Sequence, residues 1–293
     1  MGDSVKAMND NEKFVLITGA RGQLGYDLVK ELKSRNIKYL ATDSDDLDIT
    51  DEAKVISFFK GHNISCVIHS AAFTQVDRAE DEKELNHKIN VDGTANIVNE
   101  CMKYDIPMVY FSTDYIFGGE GNKPYCEDDE AKPLGEYAKS KYEGELLVRK
   151  LTKYFIVRIS WVFGINGNNF IKTMLRLSET KKELNVVSDQ IGSPTYTVDL
   201  SKLIIDMIKT DKYGVYHATN EGFVSWSDFA REIFKKANKS VIVHDVTTEE
   251  YNAKALRPKN SRLSKTKLVE NGFNKLPTWQ DALDRFLIEL SNN

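Results

Sequence analysis

The chain alternates short apolar runs with amphipathic stretches. Phe14-Val-Leu-Ile-Thr18 is a β-rich apolar run, as a strand buried on both faces requires. Leu24, Leu28, Val29 and Leu32 then recur at helical spacing. Lys38 to Asp43 reads as a second strand, Glu52 to Phe59 as a helix and Cys66-Val-Ile-His-Ser70 as a third strand. Leu85 to Tyr104 reads as a long helix, followed by strands at Met108-Val-Tyr-Phe-Ser112 and Tyr154-Phe-Ile-Val-Arg-Ile159. This succession predicts an α/β fold: a Rossmann-type, doubly wound parallel sheet with helices on both faces.

Beyond Gly164 the order loosens. Helices are expected from Asn168 to about Lys181, from Thr197 to Lys209, from Ser225 or Ser227 as N-cap, and from Trp279 to the C-terminus. Val186-Val187 and Val241-Ile-Val-His244 read as strands, and Ala255 to Leu263 as a basic loop. The expected division is a disordered tail or cloning remnant over 1–12, a dinucleotide-binding domain over 13–164, and a smaller, interwoven substrate lobe over 165–293. Segments around 183–210 are expected to return to the sheet domain.

Composition narrows the function. A length of 293 residues suffices for a large core. A net charge of −4 suggests neither a nucleic-acid groove nor a membrane surface. There is no apolar run of membrane-spanning length and no signal peptide, so a cytoplasmic protein is expected. Cys66, Cys101 and Cys126 are odd in number and widely spaced, which fits reduced thiols and neither a disulfide framework nor a zinc site. The histidines form no ligand-spaced cluster, so no metal site is expected.

Two motifs carry chemistry. Gly19-Ala-Arg-Gly-Gln-Leu-Gly25 lies between the first strand and its helix, where main-chain N–H groups and a helix N-terminus can hold a pyrophosphate. Asp43 ends the second strand, where a carboxylate can bind the adenosine ribose hydroxyls of NAD. Arg21, inside the glycine turn, favours the 2′-phosphate of NADP instead. Asp48-Ile49 in the following turn is placed to border the adenine. The second motif is Tyr137 and Lys141, four residues apart on one helical face. An ammonium near a phenol is expected to lower the phenol's pKa, and Ser112 or Thr113 offers a hydroxyl to the same reacting oxygen. Thr18-Gly19, Ser70 to Thr74, Ser112-Thr113 and Ser160-Trp161 all fall at strand ends, on one rim of the sheet. Asp77 and Glu80 are expected only to cap the helix after them.

Thr18 to Gly25, Ala71 to Glu80, Ser112 to Phe117, Tyr137 to Lys141, Arg158 to Phe163, Gly167 to Phe170, Asp189 to Thr195 and Arg257 to Ser261 together resemble the extended short-chain dehydrogenase/reductases. Within that family the chain is most similar to the dTDP-4-dehydrorhamnose reductases. The resemblance implies Thr113, Tyr137 and Lys141 as the catalytic triad. It implies Gly19, Gly22, Gln23, Leu24 and Gly25 on the pyrophosphate, Asp43, Asp48 and Ile49 at the adenosine end, and Ala71, Ala72, Phe73 and Thr74 on the nicotinamide side. Asp114, Tyr115, Trp161, Asn169 and Arg257 join Thr113 as contacts to a nucleotide sugar. The cofactor implied is NADH or NADPH, and the resemblance leaves a homodimer open. Some members bind magnesium at a dimer interface, but no carboxylate cluster here marks such a site. Related dehydratases carry Glu where this chain has Tyr115, so net reduction is expected and not elimination. Another 4-keto nucleotide-sugar reductase, and a non-catalytic NADP-binding regulatory subunit of the same fold, remain alternatives.

Overall fold

The structure, a computed structural model, describes residues 12–292; the tail expected at the N-terminus lies outside them up to residue 11. The chain begins β1 (Phe14–Thr18), α1 (Gln23–Ser34), β2 (Tyr39–Thr42), α2 (Glu52–Gly61), β3 (Ile64–His69), α3 (Val76–Ala79), α4 (Lys83–His87), a π turn (Lys88–Gly93) and α5 (Thr94–Lys103). It continues through β4 (Met108–Thr113), a 3₁₀ turn (Asp114–Ile116), α6 (Glu136–Val148), β5 (Tyr154–Ile159), β6 (Val162–Phe163), α7 (Phe170–Ser178), β7 (Glu183–Val187), β8 (Ile191–Gly192) and β9 (Thr195–Tyr196). Then come α8 (Thr197–Met207), β10 (Gly214–His217), β11 (Val224–Ser225), α9 (Trp226–Lys236), β12 (Ile242–Val246), α10 (Thr248–Tyr251), α11 (Thr266–Glu270) and α12 (Trp279–Ser291).

Among the described residues, six strands form one sheet in the order β10-β5-β4-β3-β1-β2, and every pair is parallel. The expected fold class is therefore observed. One sheet face packs against α1 and α8 through Leu24, Leu28, Leu200 and Ile204. The other packs against α2 and α5 through Val55, Phe59, Ile97 and Val98. A third core, built on Phe163, Ile171, Phe229, Ile233 and Phe286, joins α7, α9 and α12. The half after residue 164 contributes α8 and β10 to the sheet layer, while β7 pairs with β12 away from it. No helix among the described residues is long and apolar enough to cross a membrane.

Chain order reverses between β1 and β3, so a crevice opens beyond their carboxyl ends. Gly19 stands there at φ +67°, and a Cβ on it would lie 2.7 Å from the main-chain nitrogen of Ala71. The long helix expected from Leu85 begins earlier, at Lys83, and is interrupted by the π turn. Asn90 in that turn is buried and serves Phe73, accepting its N–H at 2.8 Å and donating to its carbonyl at 3.0 Å. The wide turn thus satisfies a peptide of the crevice wall that no strand partner reaches. Ser225 is the N-cap of α9, its hydroxyl accepting the N–H of Asp228.

Candidate active site

The helix α1 starts at the crevice floor. Gly22 is its N-cap and contributes no side-chain cap, and the first turn carries no acid. The first N–H groups of α1 therefore face the crevice without a side-chain acceptor, an arrangement that suits a phosphate. Gly25 holds the turn tight, since a Cβ there would lie 2.1 Å from the Gly19 carbonyl oxygen. Gln23 is fixed from behind by donating to the Val162 carbonyl and accepting from Asn169 at 3.0 Å. Asn169 also caps α7, so its side chain braces the glycine turn and does not line the cleft.

At the outer end of the crevice, Arg21 and Asp43 form a pair. Arg21 Nε lies 3.1 Å from Asp43 Oδ2, which also accepts the Arg21 main-chain N–H at 2.7 Å. The Arg21 guanidinium reaches Asp45 as well, at 2.8 Å. The opposing preferences expected of Asp43 and Arg21 are thus joined in one mutually neutralising cluster. Asp48 turns its carboxylate onto Thr50, accepting from both its N–H and its hydroxyl. Ile49 is buried against the position of Gly93. Ala71 and Phe73 alternate with Ser70, Ala72 and Thr74 of the cleft wall, and Ala71 donates its N–H to the Thr18 hydroxyl.

The cleft itself has a volume of about 420 Å³. Its walls carry Gly19, Gly22, Gln23, Leu24, Gly25, Ala72 and Thr74 on one side and Ser112, Thr113, Asp114, Tyr115, Tyr137 and Lys141 on the other. Thr113 ends β4, and its hydroxyl caps the 3₁₀ turn by accepting the Tyr115 N–H at 3.2 Å. It also donates to Asp114 Oδ1 at 3.2 Å and is hydrogen-bonded to Tyr137. Tyr137 and Lys141 stand one turn apart on α6, and the Tyr115 ring meets the Tyr137 ring edge-on at 6.2 Å. The N-terminus of α6 is held by Glu80, whose Oε1 accepts the Glu136 N–H at 2.9 Å. Glu80 therefore does cap a helix, but the one bearing Tyr137 and not the one after itself. Asp77 caps nothing: it accepts both arms of the Arg257 guanidinium, at 3.0 and 2.7 Å. Arg257 ties its loop to α3 and also reaches Tyr115 of the cleft wall.

The electrostatics correct one expectation. Burial pushes the Tyr137 phenol well above its ordinary range, with the nearby Asp114 adding to the rise and the Thr113 hydrogen bond opposing it. The phenol is thus held as an acid, and the lowering of its pKa expected from its lysine neighbour is not found. Burial also pushes the Lys141 ammonium down to about 7, while Glu145 favours its charge. Asp114 is pushed up to about 7, chiefly by burial, and hydrogen bonds from Ser261 and Thr113 oppose the rise. Asp114 Oδ2 and Ser112 Oγ are buried without a hydrogen-bond partner among the described residues. Unsatisfied polar atoms in a cleft wall fit a polar ligand such as a sugar.

Trp161 follows β5 at φ +48°, a conformation costly for a bulky residue. Trp226 stacks on it with ring centroids 3.6 Å apart, and both line the cleft. Trp226 escapes sequence reading because it is remote from every motif, and only its stacking on Trp161 from the start of α9 brings it to the site. Among the described residues no group of three His, Cys, Asp or Glu side chains is placed to hold a metal ion.

A parallel sheet with a glycine-turn crevice and a Thr-Tyr-Lys constellation at its carboxyl rim defines a Rossmann-type dinucleotide-binding oxidoreductase. The chain belongs to the family of the RmlD substrate binding domain, whose model matches residues 13–292. It is 42% identical to the spore coat polysaccharide biosynthesis protein SpsK of Bacillus subtilis, covering 95% of this chain and 98% of that one. It is 41% identical to a dTDP-4-dehydrorhamnose reductase of Aggregatibacter actinomycetemcomitans, covering 92% and 96%. Among solved structures it superposes on dTDP-4-dehydrorhamnose reductase from Bacillus anthracis in complex with NADP, with a TM-score of 0.92 and 44% identity, covering 95% and 99%.

Proposed function

We propose that the protein reduces the C4 ketone of dTDP-4-dehydro-L-rhamnose to give dTDP-L-rhamnose, using NADPH or NADH. The observation that carries this reading is the placement of Thr113, Tyr137 and Lys141 in one cleft with the uncapped N-terminus of α1. The residues fit the cofactor. The α1 N-terminus and the Gly19–Gly25 turn take the pyrophosphate, and the Arg21–Asp43 cluster meets the adenosine ribose. When bound, the reduced nicotinamide supplies a hydride to the ketone carbon. Tyr137, kept protonated by its burial, donates the proton to the ketone oxygen. Thr113 orients that phenol and polarises the carbonyl. Lys141 holds the nicotinamide ribose. Trp161 and Trp226 form the wall against the sugar, and Asp114 with Ser112 offers it hydrogen bonds. Tyr115 stands where the related dehydratases carry Glu, which favours reduction over elimination.

The remaining features follow the same reading. Residues 13–164 supply the cofactor site and most of the sugar wall, to which the part from 165 onward adds Trp226. Nucleotide sugars and reduced nicotinamides are cytoplasmic metabolites, so the cytoplasm is the proposed location. The proposed partner is the nucleotide sugar, with no nucleic acid or membrane; sedimentation tests a homodimer.

The test is to mix purified protein, dTDP-4-dehydro-L-rhamnose and reduced cofactor and follow loss of nicotinamide absorbance. About one cofactor should be oxidised per sugar. No oxidation with any 4-keto nucleotide sugar, despite cofactor binding, would point to the regulatory-subunit alternative.

A further inference from the structure

Lys141 is buried at the back of the cleft, and its surroundings are unusual for an ammonium. No carboxylate lies within salt-bridge distance of it among the described residues; Glu145, one turn on along α6, is committed to Arg158 through both oxygens at 2.9 Å. Instead, the Lys141 Nζ sits 4.2 Å from the centre of the Tyr110 ring. That distance is well inside the range of a cation–π contact, and such contacts strengthen where water is excluded. Tyr110 lies in the middle of β4 and is fully buried. It holds Lys141 a second time, since its hydroxyl donates to the Lys141 carbonyl at 3.0 Å. Gly144 makes room for that hydroxyl, because a Cβ there would lie 2.2 Å from it. One residue therefore fixes both the main chain and the charged end of Lys141.

We propose that Tyr110 is a positioning residue for the reaction: its ring face is the seat of the Lys141 ammonium and keeps that group cationic at the back of the cleft. This rests on the reading that Lys141 holds the nicotinamide ribose as a cation. The groups around the ammonium leave the ring a distinct role. His69 on β3 stacks on the far part of Tyr110 with centroids 6.1 Å apart and bonds to Thr18 and Thr94; burial pushes it down to about 3, so it stays neutral. The Tyr110 phenol is raised well beyond its ordinary range and stays neutral too. Tyr137 is one turn back on α6, and Asp114 lies beyond it on the 3₁₀ turn. The π turn contributes the uncharged Asn90, bonded to Ser140. Arg158 of β5 neutralises much of Glu145, the acid that favours the Lys141 charge. Beside the Glu145 charge, the quadrupole of the Tyr110 ring is the direct contact of the ammonium that favours the cation.

The test measures NADPH affinity from about pH 5 to about pH 10, without turnover. Wild-type affinity should fall on the alkaline side as Lys141 loses its proton, and Lys141→Met should bind weakly with no such limb. Tyr110→Phe keeps the ring and should keep the position of the limb. Tyr110→Leu should move it to lower pH by about half a unit to one and a half units. Progressively fluorinated phenylalanines at position 110 keep the shape while weakening the quadrupole, so they cover the case in which Tyr110→Leu fails to fold; the limb should step downward with each fluorine. An unmoved limb across the fluorinated series overturns the proposal. Wild-type affinity and pH profile in Lys141→Met would instead overturn the underlying role of Lys141.

Discussion

Arg21 Nε and Asp43 Oδ2 stand 3.1 Å apart at the mouth of the cofactor crevice, with Asp45 on the other side of the guanidinium. Each side chain restrains the other, so removing either should release its partner's preference. Asp43→Ala should free Arg21 for a 2′-phosphate and shift the protein toward NADPH. Arg21→Ala should leave Asp43 facing the ribose and shift it toward NADH. A charged hydrogen bond contributes about 1.5–3 kcal/mol, so ratios should move by roughly ten- to a hundred-fold. Fluorescence titration with both cofactors checks this, and two unchanged ratios would show that neither side chain reads the ribose.

Lys141 bears on stability as well as function. Its folded pKa of about 7 lies below the unfolded value of ~10.4. Between those values the unfolded chain binds more protons, so stability from this group rises with pH from about 7 to about 10. Lys141→Met should therefore melt a few degrees above wild type near pH 7, and the two should converge near pH 10. Turnover and cofactor affinity should fall in the same variant. A lower melting temperature at pH 7 would contradict the buried-charge reading.

Asp114 runs the other way. Its folded pKa of about 7 lies above the unfolded ~3.9, so the folded chain binds more protons between those values. Stability from this group is full below about pH 4 and is lost as pH rises to about 7. Thermal melts of Asp114→Asn should show an advantage over wild type that is absent near pH 4, grows across that window and then levels off. A parallel pair of curves would mean that Asp114 ionises normally.

Most of the fold was legible because the buried strands are short apolar runs separated by punctuated helices. The sixth strand, β10, was not read: Gly214–His217 is too short to stand out, and its place beside β5 is a tertiary fact. The glycine turn and the Tyr137–Lys141 pair were legible because local spacing defines them. The roles of Arg257 and Asp77 were not, since their ion pair spans 180 residues. Trp226 and Tyr110 were missed for a related reason. An aromatic in a strand or at a helix start reads as core until its neighbour across the fold is known. The direction of the Tyr137 shift was also hidden, because burial sets it, with Asp114 adding to the rise, and burial cannot be read from spacing.

The most direct test of the account is turnover by Tyr137→Phe with the 4-keto nucleotide sugar, alongside its cofactor affinity. Loss of a general acid typically costs 10²–10⁴-fold. The account predicts a fall in kcat of about that size with cofactor affinity nearly unchanged, because the lost hydroxyl serves the ketone and not the dinucleotide. Wild-type turnover in Tyr137→Phe would contradict it.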